Sequence, residues 1–160
     1  MDEMIPRLAG QRLMLGFNGT KFNKELETII REYQAGGIIL FKPNIISPDQ
    51  VAALCTRAQA FAASLNLPPL FIAVDQEGGA VSRLPPPFTQ FDGNPGIQTR
   101  EQAAAFARIT AGELKQAGIN MNLAPVMDVV PPGTESIMKT RAFPGNADAV
   151  ADLGTTVIKT

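Results

Sequence analysis

The sequence predicts an α/β fold with a parallel sheet, specifically the N-terminal half of a (β/α)8 TIM-type barrel of about four βα units. Three observations carry this. Four short apolar runs are each followed by a longer stretch of helical spacing, as in βαβ chains. The runs are apolar on both faces, as in a sheet covered on both sides. The longest polar loops follow the third and fourth runs, on the side where barrel active sites collect. A doubly wound sheet fits the first two observations, but Gly16 and Gly19 lack the G-x-G-x-x-G spacing of a dinucleotide loop. A complete barrel takes at least about 200 residues. The 160 residues here are therefore expected to be the first part of a larger domain.

The elements follow in order. Residues 11–17 (QRLMLGF) form the first strand candidate. Asn23 opens a helix whose stripe is Leu26, Ile29, Ile30 and Tyr33, with Gly36 and Gly37 as the stop. Residues 38–41 are the second strand. Ser47 suits an N-cap, Pro48 the first helical position, and Gln50 completes a capping box. The helix continues through Val51, Leu54, Cys55, Ala58, Phe61, Ala62 and Leu65, until Pro68 and Pro69 end the segment. Residues 70–74 (LFIAV) are the third strand, and residues 84–98 a long loop. Thr99 and Gln102 make a second capping box for a helix to about Gln116. Gly118 precedes a fourth strand at residues 119–123, residues 130–144 are a second long loop, and Asn146 opens a last helix.

Composition narrows the function classes. Basic and acidic residues number 14 and 15, so no strong field for nucleic acid or an anionic membrane exists. One cysteine, Cys55, excludes an internal disulfide framework. The absence of histidine excludes Ser-His-Asp and Cys-His nucleophile systems and histidine-ligated zinc. The N-terminus carries Asp2, Glu3 and Pro6 without an apolar run, which argues against a secretory signal, and no window approaches a membrane span. A cytoplasmic protein with reduced Cys55 is the expectation. No metal or organic cofactor is expected.

The most informative stretch is Asp75-Gln76-Glu77-Gly78-Gly79, where an apolar strand delivers two carboxylates into a turn needing paired glycines. The acids either serve a site at the barrel mouth or cap turn amides. Arg83 is either a structural ion-pair partner or a planar donor fork for sugar hydroxyls or carboxylates. Asp128 lies just past a strand and either binds loop amides or acts in chemistry. On pattern alone Arg141 reads as a loop anchor, Lys42 and Asn44 as exposed, and Cys55 as core packing. Phe88 and Phe91 either stack on a sugar face or pin the loop.

These residues resemble glycoside hydrolase family 3, in particular its bacterial β-N-acetylglucosaminidase (NagZ-like) branch. The segments that carry the resemblance are GGIILF at residues 36–41, IAVDQEGGAVSRL at 72–84, PPFTQF at 86–91, AGINMNLAPVMDV at 117–129 and TRAFPGNADAV at 140–150. The resemblance implies a (β/α)8 barrel that cleaves terminal β-N-acetylglucosamine with retention. It implies that Asp75, Arg83 and Arg141 bind the sugar, with Asp75 accepting from hydroxyls and the arginines donating. The family's Lys-His segment, its acid/base His and its nucleophilic Asp have no counterpart here, so no catalytic residue is assigned, Glu77 included. The expectations are thus a partial family-3 N-terminal domain over residues 1–160, inactive alone, with a β-N-acetylglucosaminide as partner. Peptidoglycan-derived muropeptides are the family's expected substrate. The alternative is a non-catalytic half-barrel module that forms homo-oligomers through exposed barrel edges.

Overall fold

Strand residues that alternate across one parallel sheet organise the computed structural model, which describes residues 4–160. Helix α1 (Met4–Gly10) precedes β1 (Met14–Leu15), α2 (Lys24–Arg31), β2 (Gly37–Leu40), α3 (Pro48–Ser64), β3 (Phe71–Val74), α4 (Arg100–Gln116), β4 (Met121–Asn122) and α5 (Ala147–Lys159). The strands pair in the order β1-β2-β3-β4, all parallel. An order that runs one way through the sheet is that of a barrel, whereas a doubly wound sheet reverses at a switch point. The chain therefore holds four βα units of a TIM-type barrel, as the sequence predicts.

The chain divides into two compact units. The first comprises the chain through Val74 together with Leu114–Asn122, and contains the whole sheet. Ile38, Leu40, Ile72 and Val74 are fully buried. Each such side chain contributes about 1.5–3 kcal/mol. The opposite face carries Met14, Ile39, Phe71, Ala73 and Met121, by the two-residue alternation of strands. Phe71 and Met121 on that face are exposed.

Local bonds explain where helices begin. The Asn23 side chain accepts from Leu26 N at 3.0 Å and starts α2. Ser47 Oγ accepts from Gln50 N at 3.2 Å and starts α3. The expected reciprocal half of that box is shifted by one residue. Gln50 Oε1 accepts from Ile46 N at 2.8 Å, while Nε2 donates to Thr20 O and Asn44 O.

Several expectations change. Helix α1 was not predicted, because Pro6 and Gly10 interrupt its short pattern. Tyr33 is not on the buried stripe of α2; it lies past the helix end and is exposed. The residue that turns the chain there is Gln34, at φ +49°, not a glycine. Gly36 and Gly37 instead allow close approach: a Cβ on Gly37 would lie 2.8 Å from Phe71 O. Asn44 is not on the surface. Its Nδ2 donates to Phe17 O at 3.0 Å and Gly19 O at 2.8 Å, and its Oδ1 accepts from Phe41 N at 2.8 Å. Lys42 is exposed, as expected. Cys55 packs in the core, and burial pushes its thiol up to about 12.

The first and last strands are shorter than their apolar runs. Just before β4, Asn120 N donates to Ile72 O at 3.1 Å and its side chain adds two further bonds. Asn120 Oδ1 accepts from Ile72 N at 2.7 Å and its Nδ2 donates to Leu70 O at 2.9 Å.

The second unit comprises Asp75–Glu113 and Leu123–Thr160. Its core joins Ile97, Ala103, Phe106, Phe143, Val150 and Leu153. The expected second capping box is present in full. Thr99 Oγ1 accepts from Gln102 N at 3.3 Å, and Gln102 Oε1 accepts from Thr99 N at 3.1 Å. Asn146 Oδ1 likewise accepts from Ala149 N at 3.1 Å. No helix among the described residues is long and apolar enough to cross a membrane.

Candidate functional site

Residues 75–84 form a loop held from inside by one amide. Gln76 is 1% exposed. Its Oε1 accepts from Arg83 N at 2.9 Å and Leu84 N at 3.1 Å, and its Nε2 donates to Ser82 Oγ at 3.0 Å. The loop closes on itself through Glu77 N donating to Val81 O at 3.0 Å. The paired glycines are required by both space and conformation. Gly78 and Gly79 have φ of +84° and +57°, and a Cβ on Gly78 would lie 2.9 Å from Gly93 N.

The loop presents its two acids to two arginines. Arg83 Nη2 donates to Asp75 Oδ2 at 3.1 Å. Both side chains remain about a quarter exposed, at 28% and 22%. Arg141 comes from the second long loop, where it follows a 3-10 turn over Ile137–Thr140. Its Nε donates to Glu77 Oε2 at 3.0 Å and its Nη2 to Glu77 Oε1 at 2.6 Å. Glu77 is 5% exposed in this pair and Arg141 29%. Nη1 of Arg141 faces Met138 Sδ at 3.5 Å. The bond to Glu77 is the main cause that holds the Arg141 guanidinium above its ordinary pKa. Desolvation opposes that bond, and the charges of Glu77, Asp128 and Asp75 add smaller contributions in the same direction as the bond. Asp75 and Asp128 therefore both lie within electrostatic reach of Arg141.

The structure thus brings Asp75, Arg83 and Arg141 into one half-open, charge-paired cluster. Two residues that the sequence did not assign to it complete the arrangement. Glu77 has no assigned catalytic role, and its pattern leaves open a site at the barrel mouth or a turn cap; its carboxylate grips an arginine 64 positions away. Gln76 had no role at all. The only sequence signal for either was their place between Asp75 and the glycines. Asp128 is exposed near the cluster. Phe88 is buried and Phe91 packs edge-on against Phe106 at 5.0 Å, so both pin the loop. Thr89 is held by Glu113, whose Oε1 accepts from Thr89 Oγ1 at 2.7 Å and from Thr89 N at 2.9 Å. Among the described residues, no group of three His, Cys, Asp or Glu side chains could hold a metal ion.

Comparison with known proteins places the chain in a family. The model of the glycosyl hydrolase family 3 N-terminal domain matches residues 3–160. The chain belongs to this family. Among curated relatives, it is 36% identical over 151 residues to a beta-hexosaminidase of Alkalilimnicola ehrlichii, covering 88% of this chain and 42% of the relative. It is 33% identical to a beta-hexosaminidase of Pseudomonas aeruginosa, covering 92% and 44%. Among solved structures, a family-3 β-N-acetylglucosaminidase of a Paenibacillus species superposes with TM-score 0.91 at 38% identity, over 97% of this chain and 30% of the other. NagZ of Neisseria gonorrhoeae, solved with N-trifluoroacetyl-D-glucosamine, gives TM-score 0.80 at 28% identity, over 91% and 44%. The chain spans less than half the length of these relatives.

Proposed function

We propose that this chain supplies the terminal-sugar-binding part of a retaining β-N-acetylhexosaminidase, and that alone it binds the sugar without hydrolysing it. The observation that carries the reading is the Asp75–Arg83 pair beside Arg141. The 3.1 Å bond holds the geometry of the pair, and the partial exposure of both members lets them reach a ligand. The cluster holds three acids (Asp75, Glu77, Asp128) against two arginines (Arg83, Arg141). Such a balance repels a phosphate or carboxylate ligand and suits a neutral polyol, whose hydroxyls both donate and accept. The names of the relatives point to the same sugar class.

Retaining hydrolysis needs a nucleophile and an acid/base about 5–5.5 Å apart, across one bond. With no histidine, the chain cannot furnish the family's acid/base. On this reading residues 1–160 form a partial family-3 N-terminal domain. The substrate class is a terminal β-N-acetylglucosaminide, with peptidoglycan-derived muropeptides as the expected source in a cytoplasmic setting.

An NMR titration with N-acetylglucosamine tests the proposal. Shifts are expected at the amides of residues 75–83 and 141. Asp75→Ala, Arg83→Ala and Arg141→Ala are each expected to weaken binding by about 1.5–3 kcal/mol, the range for hydrogen bonds to charged groups. Titration curves that all three variants leave unchanged would refute the sugar site. Turnover of a chromogenic β-N-acetylglucosaminide, abolished by Asp75→Ala, would show that the chain is an enzyme and Asp75 catalytic.

A further inference from the structure

We infer that Glu77 is the positioning residue for Arg141, fixing which edge of its guanidinium a ligand meets. The inference rests on the sugar-site reading above and deepens it. Arg141 lies on a long loop that has only one short 3-10 turn before it. A free arginine there would sample many rotamers. Instead its Nε and Nη2 share the two oxygens of one carboxylate, at 3.0 and 2.6 Å. That carboxylate is 5% exposed, so water competes little for it. Glu77 itself is set by its own backbone, which donates to Val81 O, and by the adjacent left-handed glycines. Met138 Sδ meets Nη1 from the third side.

The side edge of the guanidinium is therefore consumed by Glu77. The end edge, formed by the remaining Nη1 and Nη2 hydrogens, is what a sugar oxygen meets. Lysine at position 141 offers no such division of donors. Glu77 thus acts through Arg141 rather than by touching the sugar.

The test combines a double-mutant cycle with a spectroscopic signature, using N-acetylglucosamine as the probe. In the wild-type chain the Arg141 Nε–H is expected to give a separate, exchange-protected NMR resonance. Glu77→Gln should return it to the bulk arginine envelope and weaken sugar binding roughly 10- to 100-fold, the scale of a lost charge-assisted bond. Glu77→Gln combined with Arg141→Ala should bind no more weakly than Arg141→Ala alone. Glu77→Asp keeps the charge and withdraws it by one methylene, so it too should lose affinity. If Glu77→Gln does not fold, Glu77→Asp and its cycle with Arg141→Ala carry the same test.

An Arg141 resonance unmoved by either change overturns the inference. So does a lost resonance with unchanged affinity, a fully additive cycle, or full affinity in Glu77→Asp. A wild-type chain that ignores the sugar, or an Arg141→Ala variant that binds as wild type, defeats the function reading instead. The Nε–H resonance then still decides whether Glu77 holds Arg141.

Discussion

Replacing Gln76 with alanine removes the acceptor on which the loop after β3 is folded. The Gln76 side-chain oxygen takes two backbone amides, Arg83 N at 2.9 Å and Leu84 N at 3.1 Å. Leu84 is 2% exposed, so its amide finds no water when the acceptor goes. An orphaned buried donor costs about 1–3 kcal/mol, and two together about 2–5 kcal/mol. Arg83 is partly exposed, which places the expected loss toward the lower end. The loop is expected to open locally before the whole chain unfolds. Even about 2 kcal/mol changes the opening equilibrium about 30-fold. Amide hydrogen exchange at Arg83 and Leu84 should accelerate by at least that factor. The affinity for N-acetylglucosamine should fall with it, because Arg83 loses the backbone anchor that aims its guanidinium at Asp75. Ser82→Ala, which removes only the hydroxyl partner, should cost less than about 1 kcal/mol. Exchange at both amides within threefold of wild type would refute the reasoning, since it would mean the turn is fixed without the amide.

Cys55 should resist alkylation in the folded chain at neutral pH and react fully in denaturant, because burial pushes its thiol up to about 12 and leaves almost no thiolate. Fast labelling of the native chain, followed by mass spectrometry, would contradict this. Asp152 receives Arg100 Nε at 2.9 and 2.8 Å, and this partner holds its carboxyl below the ordinary aspartate range. A folded-state pKa lowered in this way contributes stability above the unfolded value, and that contribution disappears as pH falls through the folded one. Thermal midpoints of wild type and Asp152→Asn should therefore differ slightly near neutrality and converge in acid; a gap constant across that range would remove the ion pair from the account. Finally, among the described residues β1 and β4 each have one partner strand, and Phe71 and Met121 on one sheet face are exposed. Sedimentation should show concentration-dependent self-association, reduced by Phe71→Ser, whereas a strict monomer at every concentration would count against the half-barrel assembly reading.

What the sequence made legible was local. The four main helix starts at Asn23, Ser47, Thr99 and Asn146 depend on bonds spanning three residues, and each is present. The order of strands and helices follows from apolar spacing, whereas Asp75, Arg83 and Arg141 are joined as sugar contacts only by the family resemblance, Arg141 reading on pattern alone as a loop anchor. What was illegible was long-range. Strand ends depend on a neighbour's register, so the seven-residue run at 11–17 contributes only Met14–Leu15 to the sheet. Asn44 looks like any polar loop residue, yet its partners are carbonyls 25 and 27 positions away. Whether Glu77 serves a site or caps a turn stays open in the sequence, because Arg141 is too distant for any local pattern to join them.

The same long-range pairing explains how a site can be built mostly on loops. An unrestrained arginine side chain carries about 2 kcal/mol of rotamer entropy, which a ligand must overcome each time it binds. Asp75 and Glu77 remove much of that freedom from Arg83 and Arg141 before any ligand arrives. Gln76, lying between them, spends its own side chain on the backbone of Arg83. Three consecutive residues thus fix two arginines from two loops, and the left-handed Gly78-Gly79 turn follows directly after them. Some donors are consumed in the process. The two guanidinium groups are ordered and about a quarter exposed, which favours an uncharged ligand with many weak hydrogen-bonding groups over one that brings its own charge.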